Sequence, residues 1–245
     1  METLPTLGVV AVLGLALVHL FAGTVAFGDR YPRSAWVSAA AGTSVAYVFV
    51  HLLPELATRQ ADLSREVMLS RETDIYIAAL VGLIMFYALE HASRRSRHKR
   101  AGTEGDDKTS RGVFWASTLS YGLFNVVLGY GLGRQADVSL TELVLFTIVI
   151  GVHFLMSDAS LRKHHKDDYD RVGRWILAGS VVLGWLVSLP LSLPALTIEL
   201  MFGLAAGGIV LTVLKEELTE QEPTGAFWAF VAGAAGYVVL LLLFL

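Results

Sequence analysis

Two ionisable residues sit where an apolar helix has no water to offer them. His153 and Asp158 fall inside the stretch 139–161, which is rich in Leu, Ile, Val and Phe and long enough to cross a bilayer. An imidazole or a carboxyl at that depth is costly unless it meets a partner or a wet cavity, so such residues mark ion paths and proton relays. Ring nitrogens and carboxylate oxygens bind divalent transition metals and also exchange protons. The chain has no cysteine, so any metal chemistry must use His, Asp, Glu and Asn. Ser157 shares a helix face with His153 at i,i+4, whereas Asp158 is rotated about 140° from it and the two reach one ion only at a stretch. Asp158 has a rival partner in Arg162, one turn on, and His153 could equally be a neutral imidazole bonded to a neighbouring helix.

The elements that must position these groups follow from composition. Of the 245 residues 54% are hydrophobic and 17% charged, with mean hydropathy +0.58, which describes an integral membrane protein. No segment between the apolar runs is long enough to bury a core of its own, so the expectation is a single transmembrane domain over 1–245. Runs of about 20 apolar residues, the length of a spanning helix, fall at 5–27, 35–57, 73–92, 113–133, 139–161, 171–191, 194–217 and 225–245. They predict an all-α polytopic bundle of eight transmembrane helices. Pro190 and Pro194 mark a turn between the sixth and seventh. The first span opens without a basic region and is longer than a signal core, so it reads as a retained helix.

Orientation follows from Lys and Arg. With the polar loop at about 93–112 on the cytoplasmic side, 15 of the 19 basic residues lie inside and only Arg59, Arg65, Arg71 and Arg134 outside. Both termini are then extracytoplasmic, and in a bacterium the location is the inner membrane. The net charge of −3 gives no reason to expect a nucleic-acid partner. The expected partners are the bilayer, a metal ion, and a second copy or a larger membrane complex.

An internal repeat relates the second span to the seventh. At a shift of 165 residues, Ala40, Ala41, Gly42, Val45, Val48, Leu53 and Glu55 each meet an identical residue. Because the two spans run in opposite directions, this predicts an inverted repeat of helices 1–3 and 6–8, a transporter design that holds its substrate near the midplane. Small residues that merely permit close helix packing offer another reading.

Further polar groups cluster at helix ends. His51 and Glu55 are i,i+4 neighbours at the outer end of span two, as a cation entrance or as a solvated helix end. Glu216, Glu217 and Glu220 mirror them at the inner end of span seven, beside Lys215. His164 and His165 with Asp167, Asp168 and Asp170 form either a metal-collecting turn or a solvated loop in which Asp170 caps the next helix. Lys215 is interfacial, which excludes a buried retinal lysine. The sequence has no nucleophile motif, phosphate loop or zinc-protease signature, so no enzyme reading has an anchor.

This arrangement resembles the ZIP family of zinc and iron transporters. His51-Leu52-Leu53-Pro54-Glu55 is similar to the end of that family's second helix, and Phe86-Tyr87-Ala88-Leu89-Glu90 to its acid-terminated third. Ala206-Gly207 through Val213 to Glu216, Glu217 and Glu220 is similar to its seventh. The family's fourth helix carries His-Asn-x-x-Glu/Asp-Gly, where this chain has Phe124-Asn125-Val126-Val127-Leu128-Gly129. Its fifth carries His-Glu-x-x-His-Glu, where this chain has His153-Phe154-Leu155-Met156-Ser157-Asp158. Asn125, His153 and Asp158 therefore keep ligand positions, with Ser157 a fourth candidate, while Phe124 and Leu128 stand where two ligands would be.

The resemblance implies transport of a divalent cation, zinc first and then iron or manganese, toward the cytoplasm by alternating access. Asn125, His153, Ser157 and Asp158 would hold the ion, His51 and Glu55 would admit it, and Glu216, Glu217 and Glu220 would release it. The metal is substrate, and no other cofactor is implied. The alternative is a ZIP-fold protein that has lost transport and serves as an accessory subunit of a membrane complex. A proton conductor using His153 and Asp158 is a third class.

Overall fold

The computed structural model describes residues 3–22, 35–66, 71–104, 109–135, 140–218 and 224–244. Among them every regular element is helical: α1 (Thr3–Phe21), α2 (Ala35–Tyr47), α3 (Leu53–Glu66), α4 (Asp74–Glu104), α5 (Arg111–Gln135), α6 (Leu140–His165), α7 (Arg174–Ser188), α8 (Ala195–Leu218) and α9 (Thr224–Phe244). Each predicted apolar stretch falls on one of these helical runs. The segments Asp74–Arg100, Arg111–Arg134 and Ala195–Lys215 are long and apolar enough to cross a membrane, and Leu7–Phe21 and Phe227–Leu243 are shorter apolar helices. Ile77, Leu80, Val81 and Ile84 on α4 are each at least half exposed. So continuous an apolar face fits lipid and not water.

Two boundaries differ from the sequence reading. The second rod does not stop near residue 57 but runs through a π turn, Val48–Leu52, into α3 and on to Glu66. Pro54 explains the turn. It has no amide to return to the carbonyl four residues back and its ring crowds that carbonyl, and the widened turn lets the Leu53 amide reach Val48 O instead. The second difference is the polar segment 93–112, which is helical as far as Glu104. Its first turn is held by the Arg94–Glu90 pair at 2.6 Å and by Ser96 Oγ, which accepts from the Ser110 amide at 2.7 Å. Between α6 and α7, Lys166 adopts the left-handed conformation (φ 49°) that ends a helix, and a second π turn, Tyr169–Gly173, leads into α7.

The chain forms two compact units, Met1–Ala26 with Met85–Ser192, and Phe27–Ile84 with Leu193–Leu245. In the first, α5 lies against α7 and α1 packs on α6 and α7. Glycines set the α5–α7 approach: a Cβ on Gly129 would strike the Val181 carbonyl, and one on Gly184 would strike that of Val126. One end of this unit gathers five helix ends. Arg174 donates to Leu20 O at 3.4 Å, Thr109 N–H to His164 O at 3.3 Å, and His164 Nε2 meets Glu90 at 3.1 Å.

In the second unit α2 pairs with α9 and the first half of α4 lies on α8. An added Cβ on Gly42 would strike the Phe230 carbonyl, and one on Gly233 that of Ala39. On the other pair, a Cβ on Gly207 would strike the Ala79 carbonyl and one on Gly82 that of Leu204. The Thr43 hydroxyl sits at the first crossing, 3.0 Å from Ala39 O and 3.2 Å from Gly233 O. Buried Gln60 ties α3 to the start of α4: its Oε1 accepts from the Ile75 amide at 2.8 Å while its Nε2 donates to Arg71 O at 2.7 Å.

Candidate functional site

Asp158 is 1% exposed on α6, and its partner is neither Arg162 nor His153 but His19, near the end of α1. His19 Nδ1 lies 3.0 and 2.9 Å from the two carboxylate oxygens. On the other side of the ring, Nε2 is 2.9 Å from Asn125 Nδ2 on α5, and the same amide group reaches Leu177 O at 3.4 Å. An amide NH2 can only donate, so with the Asn125 amide turned this way Nε2 accepts and Nδ1–H donates to the Asp158 carboxyl group. Arg162 is occupied elsewhere, 3.0 Å from Asp170, which corrects the expectation that it competes for Asp158 and that Asp170 acts as a helix cap. The Tyr169 hydroxyl faces the same carboxylate from the second π turn, close enough to act on it electrostatically but short of a well-formed hydrogen bond.

One turn before Asp158, His153 Nε2 lies 3.3 Å from Ser157 Oγ, the i,i+4 contact that the spacing predicts. His153 Nδ1 is buried and has no hydrogen-bond partner among the described residues. Rings wall these groups in. Phe124 packs on His153 with centroids 5.4 Å apart, Phe154 on His19 at 4.2 Å, and Phe86 on Phe124 at 5.1 Å. Leu128 is buried as well. Of the four inner candidates, the structure links Asn125 to Asp158 through His19 and His153 to Ser157. Among the described residues no three His, Asp or Glu side chains converge as a ready metal cage.

The other candidates belong to the second unit. His51, Glu55 and Arg59 recur every four residues on one half-buried face. His51 stacks on Tyr47 with centroids 5.4 Å apart, and Glu55 accepts from Arg59 at 2.7 Å. The same guanidinium reaches Glu199 on α8 at 3.1 Å and lies 4.2 Å over the Phe202 ring. A resident cation thus already fills the Glu55 carboxylate. Arg59→Gln is expected to cost about 1.5–3 kcal/mol, as hydrogen bonds to charged groups do. Arg65→Gln, whose exposed pair with Asp62 is a surface contact, is expected to cost at most about 0.5 kcal/mol. Unfolding curves of both variants in the same detergent check this, and equal losses would refute it. Glu216 and Glu217 lie on the last turn of α8, with only their backbone described, and Glu220 lies outside the described residues.

His164 and His165 belong to neither a solvated loop nor a cation-collecting turn. Both are buried, whereas Asp167 and Asp168 are exposed. His164 is held between Glu90 and Arg97, at 3.1 and 3.4 Å, and His165 Nδ1 bonds the Thr109 hydroxyl. Burial, and then the neighbouring His164, push the His165 ring down to about pKa 4, with Arg97 acting in the same direction and Glu90 against it. A histidine depressed below its unfolded value of about 6.5 contributes stability that is complete above that pH. That stability is lost as pH falls from about 6.5 toward 4, so the melting temperature should drop over this window. His165→Gln should flatten the pH profile there, and an unchanged profile would show that the ring does not carry it.

Sequence reasoning missed His19. Its one signal is an imidazole two residues from the end of an apolar helix, and no spacing rule connects it to a partner 139 positions away. No protein-family model matches the chain, and no curated protein is significantly similar to it.

Proposed function

We propose that this chain is an integral membrane protein of ZIP-like architecture, eight spans with both termini outside. In this reading it carries a divalent transition-metal cation, zinc before iron or manganese, toward the cytoplasm by alternating access. The observation that carries the reading is His153 Nδ1, a buried ring nitrogen with no hydrogen-bond partner among the described residues. His153 stands five residues before Asp158 on the helix where the ZIP pattern places its ligands. Rotation of the Asn125 amide would offer its carbonyl oxygen, with water filling further positions, and Ser157 Oγ would join them only if the His153 ring turned, since that oxygen now lies against Nε2. The inverted repeat is supported by the glycine contacts. Gly42 against Phe230 and Gly233 against Ala39 become Gly207 against Ala79 and Gly82 against Leu204 when α2 is shifted by 165 residues and α4 by 151. Alternating access would work between the halves of that repeat. The five helix ends gathered at one end of the first unit accord with the up-and-down path that the Lys and Arg distribution requires. In a bacterium the setting is the inner membrane. Metal uptake into liposomes that contain the purified protein tests the reading, with His153→Ala expected to abolish flux.

A second reading, a transport-inactive accessory subunit, is favoured by Phe124 and Leu128. These buried apolar groups stand where two ligands would be and remove coordination and hydration together. A stoichiometric partner that co-purifies with a metal-free protein would support it.

A further inference from the structure

At the end of the first unit where α4 finishes, α5 begins and the second π turn leads into α7, residues of these elements line a half-open cavity of about 460 Å3. Arg100, Arg111 and Arg171 are among its lining residues, with Asp168 the one acid, so these residues carry three positive charges to one negative. Arg111 and Arg171 are exposed, and among the described residues neither forms an ion pair. Phe114, Trp115 and Val172 line the same space, with Trp115 38% and Val172 39% exposed.

The depth of this cavity follows from its aromatic residues. Trp115 lies one turn into α5, and Trp175 lies at the start of α7 beside Arg174, 58% exposed. Tryptophan at the polar ends of apolar helices sits at headgroup level. A guanidinium fork matches two phosphate oxygens at once, and an ammonium does not. The volume suits a polar headgroup, and the exposed Trp115 and Val172 offer an apolar rim on which acyl chains can lie. Basic hollows between helix ends on the cytoplasmic leaflet are where anionic lipid headgroups bind.

We infer that this cavity binds a phosphate-bearing anion, the headgroup of an anionic phospholipid, through Arg111 and Arg171. The inference rests on the chain spanning a membrane and is independent of metal transport, in which neither arginine takes part.

The test is native mass spectrometry of the full-length protein released from nanodiscs containing equal phosphatidylglycerol and phosphatidylcholine. The wild type is expected to retain phosphatidylglycerol preferentially. Arg111→Gln with Arg171→Gln should lower that retention about thirty-fold, the weight of two basic groups at an anionic surface, with phosphatidylcholine unaffected. Arg65→Gln, in the other unit, should behave as wild type. Should the double variant elute as aggregate, Arg171→Gln alone serves, with a loss of about five-fold. Titration with inorganic phosphate separates the sources. Displacement of the lipid only at high phosphate supports a headgroup site, whereas arginine-dependent phosphate binding without lipid preference would overturn the lipid assignment in favour of a free anion. Equal retention of both lipids, or wild-type retention by the double variant, with no phosphate binding, overturns the inference.

Discussion

His19→Ala is expected to destabilise the protein by about 3–5 kcal/mol, because it strands the Asp158 carboxylate in an apolar interior without its partner. Asp158→Asn is expected to cost less, about 1–2 kcal/mol, since an amide oxygen can still accept from His19 Nδ1–H and no buried charge is left behind. The asymmetry discriminates more sharply than either loss alone. It follows if the Nδ1 proton stays on His19 and Asp158 carries the charge, and the Asn125 amide facing Nε2 is consistent with the first of these. Denaturant titration in mixed micelles gives both values. Equal losses, or a larger one for Asp158→Asn, would mean that the pair is not an ionised carboxylate facing a neutral imidazole. Arg162→Gln should leave the site unaffected, since its partner is Asp170.

Gly42→Val and Gly207→Val are expected to be comparably damaging, each at or above the roughly 1–3 kcal/mol that overpacking costs. In both cases the first added atom meets a backbone carbonyl, Phe230 or Ala79, that no rotamer change can move aside. Gly236→Val on α9, with open space around its Cβ position, should fall within about 0.5 kcal/mol of wild type. Similar losses at Gly42 and Gly207 are what an inverted repeat requires, because the two glycines make the same contact in opposite halves of the chain. Thermal unfolding followed by tryptophan fluorescence provides the comparison. Damage at one site and tolerance at the other would leave the sequence repeat as a packing coincidence.

Much of the helical layout was legible because long apolar runs predict helices, three of which are long and apolar enough to cross a membrane. The turn at Pro190 and Pro194 falls where two prolines interrupt the pattern, and α8 begins at Ala195. Boundaries read less well wherever polar residues continue a helix. The segment after Glu90 is rich in Arg, Lys and Ser and reads as a loop, yet i,i+4 pairing and the α5 junction keep it helical to Glu104. By sequence the second span ends near residue 57, whereas the chain absorbs Pro54 in a π turn and stays helical to Glu66.

The site was half legible. His153 and Asp158 stand out because their depth makes them costly, and the His153–Ser157 contact follows from i,i+4 spacing. The pairing of Asp158 was not legible. The nearby Arg162 is a plausible partner by spacing, whereas His19 becomes one only when α1 is laid against α6, a long-range packing choice that local periodicity does not encode. The same limit concealed Arg59–Glu199 and His164–Glu90, which join residues 140 and 74 positions apart.

The central proposal, that the inner polar groups of this chain pass a divalent cation, is tested most directly by proteoliposome uptake. Liposomes carrying wild type, His153→Ala and Arg171→Gln would be supplied in turn with zinc, iron, manganese and cobalt, and the internal metal followed with a trapped fluorescent chelator. Saturable uptake of at least one ion by wild type and by Arg171→Gln, reduced to the protein-free rate in His153→Ala, is the expected result. Wild-type uptake no faster than that of empty liposomes for all four ions, with His153→Ala indistinguishable from it, would contradict the claim.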